Sequence, residues 1–127
     1  MQDRVKFEYA IIRLVPKVER EEFFNVGVIV FSRAKKFLAV KYKIDAHKLN
    51  CFSKDLDLES INEYLKAWTL ICEGATAGGA IGKLDLVDRF RWLTASRSTM
   101  IQSSETHSGL CHDPQKVVEE LFKNYVL

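Results

Sequence analysis

The chain has 127 residues, 19 of them Lys or Arg and 17 Asp or Glu, and 47% are hydrophobic. At roughly 150 residues per domain, this length predicts one domain over residues 1–127, with a core large enough to fold without a disulfide or metal staple. A charged fraction of 28% with 11% aromatics excludes a disordered chain, and a net charge of +2 is too small for a dedicated nucleic-acid domain.

The first residues, Met1 to Lys6, carry no apolar segment of the secretory type, and the longest apolar run, Val26–Phe31, is strand-sized rather than membrane-sized. Cys51, Cys72 and Cys111 are odd in number and widely spaced, which is not a disulfide framework. A cytoplasmic protein with reduced thiols is expected, without a membrane partner. The charge is uneven: residues 1–50 carry +5 and residues 51–127 carry −3, so local faces can be charged although the total is bland.

Phe7 to Val15 is rich in β-branched and aromatic residues and is closed by Pro16, which predicts a strand. The charged stretch Lys17 to Glu22 is a connection, and Phe23 to Phe31 is a second strand. Phe24, Val26, Val28 and Val30 fall on one face of it, and Phe23, Asn25, Gly27, Ile29 and Phe31 on the other. Apolar residues on both faces predict a central strand covered on two sides. After a turn at Ser32 to Lys36, alternation resumes from Phe37, with Leu38, Val40, Tyr42 and Ile44 opposite Lys41 and Lys43. Strands joined by short links form an antiparallel meander.

Beyond Asp45 the period changes to that of a helix. Leu58, Ile61, Leu65, Trp68 and Cys72 form one stripe with Tyr64 and Ile71 beside it, Asp55 or Asp57 as N-cap and Gly74 as the stop. Residues 74–82 form a small-residue loop ending in Gly82-Lys83. It is not a phosphate loop, because Ala77 stands where its first glycine belongs and Leu84 where Ser or Thr is needed. A short helix from Asp85 buries Leu86, Val87, Phe90 and Leu93. Arg97 to Ser104 alternates weakly as a fourth, polar strand, and Ser108-Gly109 suggests a turn. Asp113 and Pro114 open a last helix with Val117, Val118, Leu121, Phe122 and Tyr125 on its apolar side. The fold class is α+β: a three-stranded antiparallel meander, extended by a late fourth strand, packed with about three helices.

Several groups carry possible chemistry. Arg13 and Asn25 lie in apolar strands that the meander makes neighbours, so Arg13 requires a partner. Glu19, Glu21 and Glu22 supply one for a structural ion pair, the reading favoured over an anion-binding arginine. Gly27 marks a bulge or a close backbone approach, or leaves room for a ligand. Arg97, Ser98, Thr99, Gln102, Ser104 and His107 gather donors, acceptors and one base in a short segment, which is either a phosphate pocket or a polar edge. His47 with Cys51, and His107 with Cys111, share a spacing that zinc could use. The two pairs flank unrelated elements, however, and neither a metal nor another cofactor is expected. Lys35, Lys36, Lys41 and Lys43, with Lys48 nearby, make the third strand basic, which suits a protected edge better than a nucleic-acid face.

As text, the chain resembles a bacterial family catalogued as domain of unknown function 3037. The resemblance rests on Tyr9-x-x-x-Arg13-x-x-Pro16, Glu19-Arg20-Glu21-Glu22 and Asn25-Val26-Gly27-Val28. It continues through Phe90-x-Trp92-Leu93, Arg97-Ser98-Thr99, Ile101-Gln102-x-Ser104 and His107-x-Gly109-Leu110-Cys111-x-Asp113-Pro114. His47 departs from the family's pattern. The resemblance implies no catalytic residues, but it implies a setting beside a kinase-like protein of the HipA type. The expected role is therefore a protein-interaction or accessory module for a separately encoded enzyme. The alternatives are a phosphate-ligand protein or small enzyme using Arg13, Arg97, Gln102 and His107, and weak nucleic-acid binding through the third strand.

Overall fold

The computed structural model describes residues 3–53, 56–74 and 78–127. Three long strands come first: β1 (Val5–Leu14), β2 (Phe24–Ser32) and β3 (Phe37–Tyr42), with a single 3-10 turn (Val18–Arg20) between the first two. Helices α1 (Ala46–Phe52), α2 (Leu58–Glu73), the short turn α3 (Gly79–Gly82) and α4 (Leu86–Leu93) follow. Strands β4 (Ile101–Ser103) and β5 (His107–Cys111) then precede α5 (Pro114–Tyr125). The sheet is antiparallel in the order β3-β2-β1-β4, and β5 also pairs with β1.

The meander and the α+β class are as the sequence predicts, but the late strand is in two pieces. Between the pairs Ile12/Ser103 and Tyr9/His107, β1 advances three residues while its partner advances four, so β4 and β5 are one edge strand interrupted by a bulge. Ser104 bridges the interruption: its N–H donates to the Ile11 carbonyl at 2.8 Å, and its hydroxyl accepts from the Ile11 N–H at 2.8 Å. The strand expected from Arg97 begins only at Ile101, and Ser108 and Gly109 lie within β5 rather than in a turn.

A second bulge sits in β2. Ile12 pairs with Gly27 and Arg13 with Asn25, which leaves Val26 as the extra residue. The side chains before it therefore change faces: Phe24 and Val26 join Ile29 and Phe31 in one core, whereas Val28 and Val30 face the other. This corrects the strict alternation expected for the strand. Gly27 also allows a close approach, since a Cβ there would lie 2.7 Å from the Lys41 carbonyl oxygen and 2.9 Å from Tyr42 Cβ.

The larger core lies under α1, α2 and α4, where Leu49, Ile61, Leu65, Trp68, Phe90 and Leu93 meet Ala10, Ile12 and Leu14. The smaller core is formed by Val118, Phe122 and Val126 against Val28 and Val30. Helix α5 lies over β2 and β3, so the sheet is covered on both faces at its centre. Two stripe residues point outward: Tyr64 is 56% exposed and Tyr125 50% exposed, each lying beyond the edge of its helix's contact.

Local signals explain the helix ends. The carboxylates of Asp45, Asp57 and Asp113 accept from backbone N–H groups in the first turns of α1, α2 and α5. Gly74 closes α2 at φ +70°. Asp55, Ala75, Thr76 and Ala77, which enter the cap and loop expectations, lie outside the described residues. Helix α1 was not expected, and with the turn α3 it raises the number of helices from the expected three or so to five among the described residues. Among the described residues, no helix is long and apolar enough to cross a membrane.

Candidate functional site

Because α5 covers β2 and β3, the same face of β1 and of the β4–β5 edge is only half covered. Alternation puts Phe7, Tyr9, Ile11 and Arg13 of β1 on this face. The first three pack partly buried against the flank of α5. His107 is Tyr9's partner on β5, exposed, with its ring 5.3 Å from the tyrosine ring. Arg13 has Asn25 on one side and Gln102 on the other, in register on β2 and β4.

The ion pair expected for Arg13 is not formed. Its guanidinium stacks on Phe23, 4.3 Å from the ring centroid, and its buried Nε has no hydrogen-bond partner. Glu22 instead pairs with Arg20 at 2.6 Å, and Glu19 and Glu21 are exposed. The neutral flanking amides are already engaged as donors: Asn25 Nδ2 donates to the Tyr125 carbonyl at 3.1 Å, and Gln102 Nε2 to the Thr99 carbonyl at 2.7 Å.

The remaining candidates do not join this group. Arg97 closes the end of α4, donating to the Trp92 and Leu93 carbonyls, and stacks on Trp92 at 4.2 Å. Ser98 is exposed, the Thr99 hydroxyl donates to the Ile101 carbonyl at 2.7 Å, and Ser104 serves the edge bulge. His107 stands four residues from Arg13's level along β1, about 13 Å away at strand rise. Arg13, Arg97, Gln102 and His107 therefore do not converge on one pocket. The polar segment is an edge.

Two clefts of 410 Å³ flank the half-open face and the far end of the sheet. One lies between β5 and α5 and is lined by Phe7, Cys111, Val117 and Leu121, among others. The other is lined by Lys6, Glu8, Arg33 and Arg91. Its charge is partly neutralised, because Arg91 grips both Glu8 oxygens at 3.0 and 3.2 Å.

The paired His and Cys spacings place no four ligands together. His47 and Cys51 are exposed on α1, while His107 and Cys111 lie along β5, about 13 Å apart, which is too far to share an ion. No group of three potential ligands occurs among the described residues. Burial pushes the Cys72 thiol up to about 12 and raises that of Cys111, with Asp113 adding to the latter. Neither is an activated nucleophile.

On β3, Lys41 is held by Glu119 of α5 and lies 4.8 Å from the Phe122 ring centroid. A lysine of the basic meander and a glutamate of α5 thus meet within the molecule. Lys35, Lys36, Lys43 and Lys48 remain exposed.

Fold and site together define a small α+β domain with one half-covered sheet face, centred on an arginine that forms no ion pair among the described residues. The family described as "Protein of unknown function (DUF3037)" matches residues 9–126, and the chain belongs to it. No curated protein and no solved structure matches the chain.

The sequence reading missed Phe23 and Tyr9 as the aromatic parts of this face, and Trp92 as the seat of Arg97. A signal for Phe23 was present: it is a large apolar residue directly after a run of glutamates, at a strand entrance.

Proposed function

We propose that this protein is a small bacterial, cytoplasmic protein-interaction module, an accessory to a separately encoded enzyme, and that it docks its partner on the half-covered sheet face. The observation that carries this reading is the composition of that face. Ile11 and the 43%-exposed Phe23 lie beside Arg13, which has no ion pair among the described residues, and Tyr9 continues the same face along β1. Exposed aromatic and arginine residues on a rigid surface are the usual anchors of protein interfaces. The family resemblance makes a HipA-type kinase-like protein the first partner to try.

The phosphate-ligand alternative has less support, since Arg97 is occupied at the end of α4 and His107 stands apart from Arg13. The nucleic-acid alternative loses Lys41 to Glu119.

The test is the size of the protein at endogenous expression in its native host. A complex well above the 14.6 kDa of one chain is expected, with a second polypeptide in fixed ratio. His107→Glu on the open face should return the chain to free monomer. Recovery of the wild type only as free monomer would contradict the proposal.

A further inference from the structure

Arg13 is a partly desolvated cation without a counter-charge among the described residues. Its Nε is enclosed and unbonded, and among the described residues it takes part in no ion pair. Such a group is unfavourable in the free protein and becomes favourable when a matching anion arrives. The site is also ready for one. The Phe23 ring backs the guanidinium, its centroid 4.3 Å from Arg13 Cζ, and a planar guanidinium fork binds a carboxylate through two parallel hydrogen bonds. The neighbours sharpen the choice of anion. Asn25 and Gln102, which flank Arg13 in register, are neutral and each has one amide N–H engaged by Tyr125 or Thr99, so Arg13 supplies the charge alone. One guanidinium matches the single charge of a carboxylate better than a phosphate dianion. The additional groups a phosphate would require, Arg97 and His107, are placed elsewhere.

We propose that Arg13 is the anchor for a carboxylate presented by a Glu or Asp side chain of a partner protein lying across the open face. Phe23 and Ile11 supply the apolar contacts beside it. This inference rests on the docking reading above and adds the chemistry of the partner's contact residue.

The experiment is a titration of the full-length, ¹⁵N-labelled protein, following the Arg13 Nε–Hε resonance, which is assigned by its loss in Arg13→Lys. The probes are the end-capped tripeptides Leu-Glu-Leu and Leu-Gln-Leu, sodium acetate and inorganic phosphate. A saturable shift is expected with Leu-Glu-Leu, about tenfold tighter than with Leu-Gln-Leu, the difference one charge-assisted pair supplies. Acetate and phosphate are expected to bind more weakly than Leu-Glu-Leu. Equal affinity for the two peptides would overturn the carboxylate. Acetate or phosphate binding as tightly as Leu-Glu-Leu would overturn a protein segment as its source. The probe comparison uses the wild-type chain, so it decides whether or not a variant folds. If the titration fails while the endogenous complex persists and depends on His107, docking stands and only the carboxylate anchor falls. Loss of both removes the docking reading as well.

Discussion

Arg13 lays its guanidinium on the ring of Phe23, 4.3 Å from the centroid, although three glutamates follow it within ten residues. A residue kept for its contribution to folding would be expected to satisfy its donors internally. Arg13→Met keeps the aliphatic stem and removes the unbonded Nε. Its stability in urea should therefore equal the wild type's or exceed it by up to about 1 kcal/mol, because an unsatisfied buried polar atom is removed. A loss of more than about 2 kcal/mol would make Arg13 a structural residue.

Gly27→Ala should be among the most damaging single-methyl changes in the chain. The added Cβ would meet the Lys41 carbonyl oxygen at 2.7 Å, a backbone atom that moves only if β3 moves. A cost of about 2–4 kcal/mol is expected in urea unfolding, as for overpacking at a site that cannot relax. Gly109→Ala meets the Phe7 ring at 2.8 Å instead, and a side chain can turn. It should cost less, and Phe7→Leu in the same chain should recover most of the loss.

Arg89 holds the C-terminal end of α2. Its Nη1 donates to the carbonyls of Ile71 and Cys72, each at 2.9 Å, and its Nε to the Leu84 carbonyl at 3.0 Å. The Ile71 carbonyl also accepts from the Gly74 N–H at 3.1 Å, so Arg89 reinforces an end that Gly74 caps, and a cation there suits the helix dipole. Arg89→Ala should lower stability by about 1.5–3 kcal/mol, and Arg89→Lys should restore only part of it because it cannot span three acceptors. Equal stability of the lysine variant and the wild type would contradict this role.

The contact between Lys41 and Glu119 predicts a pH dependence. The Lys41 ammonium, by its hydrogen bond, holds the Glu119 carboxyl below its ordinary 4.5. A carboxyl lowered in the folded state stabilises fully above its unfolded value, and that contribution is lost as pH falls through the folded value. The wild type should therefore lose stability more steeply than Glu119→Gln as pH falls below about 4.5. Parallel acid limbs in the two proteins would contradict the assignment. The pair is solvent-exposed, so the difference should also shrink in high salt.

Thiol reactivity provides an independent check of the packing. Cys51 is exposed while Cys72 and Cys111 are buried, and Cys72 is pushed up to about 12 by burial. One thiol should react with Ellman's reagent in the native state at pH 8 and three after denaturation. Rapid native labelling of Cys72 would show that α2 does not seat on the sheet as described.

Much of the fold was legible because period and punctuation agree along the first half of the chain. The two-sided apolar pattern of β2 announced a central strand, Gly27 pointed to a bulge or a close approach next to the bulge at Val26, and Asp113-Pro114 announced α5. What was lost turned on single residues. The bulge at Val26 reverses the faces of Phe24 and Val26, a shift that alternation cannot reveal without the partner strand. The β4–β5 edge was half legible: Arg97 to Ser104 read as a polar fourth strand, whose observed part is Ile101–Ser103. Strand β5 was missed because Ser108-Gly109 suggested a turn and an edge strand needs no continuous apolar run. The fate of Arg13 was the least legible. Three glutamates in sequence reach suggested an ion pair, and only the fold shows Phe23 beneath it instead.

The central claim is that the half-covered face around Arg13 is where a protein partner docks. Photo-cross-linking in the native host tests it most directly, with a benzophenone amino acid at exposed position 107 on the open face or at exposed position 64 on α2. The account predicts one defined heavier adduct from position 107, little from position 64, and a several-fold loss of the 107 adduct in the Arg13→Gln background. Absence of an adduct at 107, or equal yields from both positions, would contradict it.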